Sequence, residues 1–190
     1  MNNEKYADAR IFGAAIKHTG EILRPFLAEE EVLRKKIEAI KNDHDMTAWY
    51  PLDTVIELFE IAEKNNFLQR LANSWAIQVV REMRKQGSVK TPTNALLMLE
   101  SSFPVQHQGN VGKLGVRIID EQSAEITDST YGPCGYLSAL CESMVGNFGA
   151  RNVTLTHASN TCRRRSGSSC TYILKWEESE LLKMMSDQNK

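Results

Sequence analysis

Two hydrophobic periods divide this chain. From residue 11 to 103, apolar positions recur mostly at helical spacing; from 113 to 176 they fall mainly on alternate residues, around one helix. The change predicts a helical lobe followed by a sheet. In "TAWYPLDTVIELFEIAEKNN", Val55, Ile56, Leu58, Phe59 and Ala62 share one broad helical face. Pro51 imposes an extended approach, and Asp53 is the cap candidate. A helix over roughly 67–86 carries Leu68, Leu71, Ala72, Trp75, Val79 and Met83 and stops at Gly87. "TPTNALLMLESSF" predicts another, with Thr91 or Thr93 as cap. Upstream, "LAEEEVLRKKIEAIKND" sets Leu27, Val32, Leu33, Ile37 and Ile40 near helical spacing, acids leading and bases following as the helix dipole favours. "ARIFGAAI" suits either a strand or a helix.

In the second half, "LGVRIIDEQSAEITDS" predicts a hairpin turning near residues 120–123. "YGPCGYLSALCESMVGNFG" predicts a helix with Pro133 in its first turn and Gly149 at its end. "ARNVTLTHA" places Val153, Leu155 and His157 on one strand face. "CTYILKW" places Cys170, Tyr172, Leu174 and Trp176 on one face of a last strand, antiparallel to the previous one. The expected organisation is a tail over 1–9, one domain over 10–178 and a second tail over 179–190. Within the domain, the helical lobe spans about 10–104 and the sheet-containing part about 113–176.

Composition narrows the function class. With 42% hydrophobic residues, 25% charged residues and a net charge of -1, the 190 residues predict a globular protein with no global field for nucleic acid. No apolar run approaches the roughly 20 residues that span a bilayer. The polar N-terminus has no signal core, so the expected location is cytoplasmic. In that compartment the four cysteines are expected as thiols or metal ligands rather than disulfides.

Candidate chemistry concentrates in "THASNTCRRRSGSSCTYILKW". Cys162 and Cys170 stand at the base of the closing loop with seven residues between them, not the two to four of a zinc knuckle. Two further ligands are needed for a tetrahedral site. His157 precedes on the strand, and Cys134 opens the preceding helix, whose N-terminus favours thiolate. Cys134, His157, Cys162 and Cys170 are therefore a candidate zinc site. The competing readings are small packed residues at a loop base, or a disulfide. Arg163, Arg164 and Arg165 form either a solvated tip or a docking surface for an anion or a partner protein. No aromatic residues interleave with them, which argues against nucleic acid. The chain has no phosphate-binding glycine loop, serine-nucleophile elbow or H-E-x-x-H helix. His18, His44 and His107 stand singly and read as surface or core residues.

"GPCGYLSALCESMVGNFG" followed by "GARNVTLTHASNTCRRRSGSSCTYILKW" resembles the closing signature of the 4-vinyl reductase domain superfamily. "YPLDTVIELFEIA" and the tryptophan-bearing helix after it are similar to the helical lobe of its single-domain bacterial members. The resemblance implies an α/β (α+β) fold, a helical lobe on an antiparallel sheet closed by a Cys-x7-Cys hairpin, and a homodimer. It also relates the chain to TRAPP vesicle-tethering subunits and to phenol-sensor domains, where the same hairpin holds zinc on three cysteines and a glutamate. The glutamate position is Ser159 here, so the missing ligand would have to come from His157, given a shift of the strand end, or from some other residue. The function this implies is a non-enzymatic sensor that binds a small apolar molecule, with Leu71, Trp75, Val79 and Leu140 as pocket wall; solid core is the plainer reading of those four. The alternatives are a protein-interaction module without ligand, and a reductase acting on a tetrapyrrole vinyl group, for which the chain offers no cofactor motif.

Overall fold

The change of period marks where helices give way to a sheet. In the computed structural model, residues 6–26, 34–35, 38–39, 45–87, 89–158, 162–165 and 167–178 are described. The N-terminal part runs β1 (Arg10–Phe12), α1 (Gly13–Leu23), β2 (Trp49–Pro51), α2 (Asp53–Lys64), α3 (Leu68–Gln86), α4 (Pro92–Gln106) and β3 (His107–Gln108). The C-terminal part runs β4 (Leu114–Asp120), β5 (Ser123–Asp128), α5 (Cys134–Asn147), β6 (Ala150–Ala158) and β7 (Cys170–Glu178). The α+β class and the closing hairpin of β6 and β7 follow the sequence pattern. The helix expected within 27–43 lies largely outside the described residues.

The ambiguous "ARIFGAAI" is both elements in succession, a strand to Phe12 and a helix from Gly13. Gly13 is required at the join, because a Cβ there would sit 2.0 Å from the Asp45 carbonyl oxygen. At α4 the Thr91 hydroxyl accepts the Asn94 N–H at 3.2 Å, the cap that the sequence predicts. At α2 the cap is Leu52 instead. Asp53 lies inside the first turn, where its charge faces the positive end of the helix dipole. Gly87, at φ 67°, ends α3 in the left-handed region.

Two antiparallel sheets form, one ordered β2-β1-β3 and one ordered β4-β5-β7-β6. The first was not expected. Its strands are two or three residues long, too short to show a period. Along β7, Cys170, Tyr172, Leu174 and Trp176 are all buried, as alternation predicts. They face α5, and α3 packs along the other side of that helix. Two apolar clusters result. One joins the four-stranded sheet to α3, α4 and α5; the other joins α1 and α2 to β1. Trp75, Phe103 and Tyr136 pack against both and mark the seam.

Candidate functional site

The hairpin cysteines meet the helix that precedes them. Cys134 lies at the first turn of α5, Cys170 begins β7, and Cys162 lies in the loop between β6 and β7. The Cys134 sulfur lies 3.1 Å from that of Cys170 and 3.8 Å from that of Cys162. His157 sits on β6 opposite Tyr172, and its ring stacks on that tyrosine with centroids 4.5 Å apart. One ligand atom from each of Cys134, His157, Cys162 and Cys170 lies within 4.8 Å of all the others. Such a cluster could hold a metal ion: ligands at about 2.3 Å around a tetrahedral centre stand roughly 3.8 Å apart.

Two further features suit a cation. His157 Nε2 is buried with no hydrogen-bond partner among the described residues, an expensive arrangement for a ring nitrogen. The thiols are also polarised against one another. Burial works to raise Cys170, but the Arg163 backbone N–H, the Cys134 thiol, the Tyr172 hydroxyl and the Arg163 guanidinium pull it well below the usual thiol range. Burial and the neighbouring Cys170 sulfur push Cys134 up. The two sulfurs are thereby shifted in opposite directions, Cys170 toward and Cys134 away from the thiolate form.

The arginine tip divides. Residues Arg163–Arg165 form a single 3-10 turn whose Arg165 N–H bonds back to the Cys162 carbonyl at 2.8 Å. Arg163 points inward. It pairs with the Asp128 carboxylate, which is fully buried, and donates to the carbonyls of Thr130 and of Gly132, the latter at 2.8 Å. Arg165 is exposed, and the side chain of Arg164 lies outside the described residues, as does Ser159.

A cavity of about 560 Å³ opens along the seam between the two apolar clusters. Trp75 and Val79 of α3 and Leu140 of α5 line it; Leu71 is fully buried in the cluster around α1 and α2. No motif announced its floor, His107 and Tyr131. His107 Nδ1 lies 2.7 Å from the Phe103 carbonyl and Nε2 lies 2.8 Å from the Tyr131 hydroxyl. A carbonyl only accepts, so Nδ1 carries the proton and Nε2 accepts from Tyr131. The Phe103 ring stacks on the imidazole at 4.2 Å. Singly placed histidines carry no spacing signal, so only the folded register reveals this pair.

Burial lowers the His107 pKa from its ordinary 6.5, against the opposing hydrogen bond to Phe103. The unfolded chain therefore binds more protons than the folded one between the two values, and this histidine's stabilising share is lost as pH falls below about 6.5. Urea midpoints measured at about pH 7.5 and pH 5.5 should show that loss. His107→Gln, which removes the titration, should shrink the gap between them.

No protein-family model matches the sequence, and no curated protein matches it. Solved structures do match. The Fe(II) unliganded H-NOX protein from K. algicida superposes with a TM-score of 0.65 at 10% identity, covering 90% of this chain and 98% of that one. A single-substitution variant of Tt H-NOX gives 0.65 at 12% identity, covering 88% and 96%. The H-NOX protein from S. oneidensis in its Fe(II)NO state gives 0.62 at 9% identity, covering 88% and 100%. These identities establish likeness of fold. They overturn the resemblance to the 4-vinyl reductase domain superfamily, which rested on short motifs in the helical lobe, the second-half helix and the closing hairpin, whereas the H-NOX likeness is a superposition of about nine tenths of the chain.

Proposed function

We propose that this chain is a sensor module of H-NOX-like fold that holds zinc at Cys134, His157, Cys162 and Cys170, and binds a small molecule, other than haem, in the seam cavity. The observation that carries the metal is the approach of one ligand atom each from three cysteines and His157 to within 4.8 Å of one another, with the His157 Nε2 buried and without a partner among the described residues. Zinc would supply a structural crosslink between the start of α5 and both sides of the closing hairpin.

The H-NOX relatives are described with Fe(II) and NO, and one with a distorted haem porphyrin. The residues of this cavity do not fit that group. The Nε2 lone pair of His107, the one that would face an iron, is engaged by Tyr131, and Phe103 covers one ring face. Freeing it would strand a buried tyrosine hydroxyl. Among the described residues that line the cavity no arginine is present, and Lys17 is accompanied by Glu21 and Glu82. Two propionates would lack a clamp.

Metal analysis tests the centre. Protein purified without chelator should carry about one zinc per chain, bound in line with a four-ligand Cys/His site. A content below about a tenth, unchanged when zinc is added during purification, would sink the reading. The 3.1 Å approach of Cys134 to Cys170 supports a second reading of the same centre as a redox sensor. There, two thiolates give two electrons to hydrogen peroxide, which takes up two protons; a disulfide and two waters form and zinc is released. Zinc appearing in a chromophoric chelator on addition of peroxide, and returning to the protein on reduction, is the expected result.

A further inference from the structure

The charges around the cavity are unevenly placed. Its inner wall is apolar, with Ile11, Met83, Leu137 and Leu140 buried. The floor is polar, yet its groups are already matched: His107 and Tyr131 bond each other, and Nδ1 bonds the Phe103 carbonyl. Thr19 on the wall accepts the Trp75 indole N–H at 3.2 Å and donates to the Ala15 carbonyl. Among the described lining residues formal charge is carried by Glu21 and Glu82, both exposed, and by half-buried Lys17, toward the mouth; Glu82 is also paired with Lys85 at 2.7 Å. His18, edge-on to Trp75 at 4.6 Å, is held toward its neutral form by burial.

From this arrangement we infer that the cavity selects an uncharged, largely apolar molecule, with at most a hydroxyl- or amide-type polar end, and rejects carboxylates. The inference rests on the proposal above that the cavity is a ligand site, and names the class of ligand. A carboxylate carried inward would lose its water and find no cation on the floor, a burial that costs several kcal/mol unless it is paired. Among the described lining residues it would find Lys17 as the one cation, beside Glu21 and a Glu82 already paired with Lys85 at 2.7 Å. A hydroxyl has neither difficulty, since the Tyr131 oxygen keeps a free lone pair after donating to His107. About 560 Å³ lies within the range of ordinary small-molecule sites and holds a twelve-carbon chain.

The test uses the full chain loaded with zinc and the neutral dye Nile red. The dye should bind saturably. Dodecanol should then displace it at concentrations at least about tenfold below those of dodecanoate at about pH 8, where the acid is ionised. Haemin should form no stoichiometric complex with a histidine-ligated spectrum. Joint Glu21→Lys and Glu82→Lys substitutions, at exposed positions that leave folding intact, should bring the two displacement curves together. Equal displacement by alcohol and acid in the unaltered chain would overturn the selectivity while leaving the ligand site standing, as would stoichiometric haemin binding through His107. Failure of Nile red and dodecanol alike to bind or to raise the melting temperature would overturn both the selectivity and the ligand site.

Discussion

Replacing Cys162 and Cys170 together by serine should empty the metal centre and lower the melting temperature by about 10 °C. A ligand that binds only the folded state stabilises it by about 4 kcal/mol when free at a thousand times its dissociation constant. For a domain of this size each kcal/mol moves the midpoint by roughly 2–4 °C. The zinc would tie α5 to a loop that has few other anchors: beyond the Cys162 turn, that loop is held by Arg163 alone among the described side-chain bonds. Chelation of the unaltered protein should reproduce most of the shift. Cys141→Ala is the control. Cys141 is buried two turns along α5 from Cys134 and is not one of the four clustered ligand residues; burial raises its thiol, and its loss should leave the zinc content unchanged. A double variant that keeps its zinc, or a chelated protein that melts at the unaltered temperature, would remove the centre from the account of this fold.

What the sequence disclosed of this site is what depends on local order. Cys162 and Cys170 flank one loop, and alternation along β7 places Cys170 inward with Tyr172, so their approach could be read from spacing. Cys134 and His157 were legible as nearby ligand types, but their distance from the cysteines required the pairing of β6 with β7 and the packing of α5 on both. Longer separations left no trace. Arg163 read as part of a basic tip, because its partner Asp128 is 35 residues away and is brought to it through β5 beside β7. His107 and Tyr131 are 24 residues apart and belong to no motif. Leu71, Trp75 and Val79 follow one another at helical spacing, yet only the latter two reach the cavity, because the start of α3 packs into the cluster around α2. The family resemblance went astray for the same reason: short motifs in the lobe and the hairpin match local order and leave the topology that joins them unread.

The buried pair of Arg163 with Asp128 carries the second large effect. Asp128→Asn should destabilise the protein by about 3–5 kcal/mol, because it leaves the guanidinium without its counter-charge in a largely dry setting. The side chain of Asp128 is fully buried and that of Arg163 is 15% exposed, which separates this pair from surface bridges worth under about 1 kcal/mol. The amide retains an oxygen for the Thr130 N–H, bonded at 2.7 Å, so the substitution isolates the charge. Arg163→Met removes the guanidinium and in addition frees the carbonyls of Thr130 and Gly132, each a further loss of about 1–3 kcal/mol if unmatched. Joined, Asp128→Asn and Arg163→Met should cost clearly less than the sum of the two, since no unpaired charge is left. Tyr131 stands between the two freed carbonyls and bonds His107, so Arg163→Met should also weaken Nile red binding, whereas Asp128→Asn should weaken it less. Additive single effects, or an Asp128→Asn loss below about 1 kcal/mol in urea unfolding, would show that water reaches the pair and that the hairpin is not clamped to the cavity floor through it.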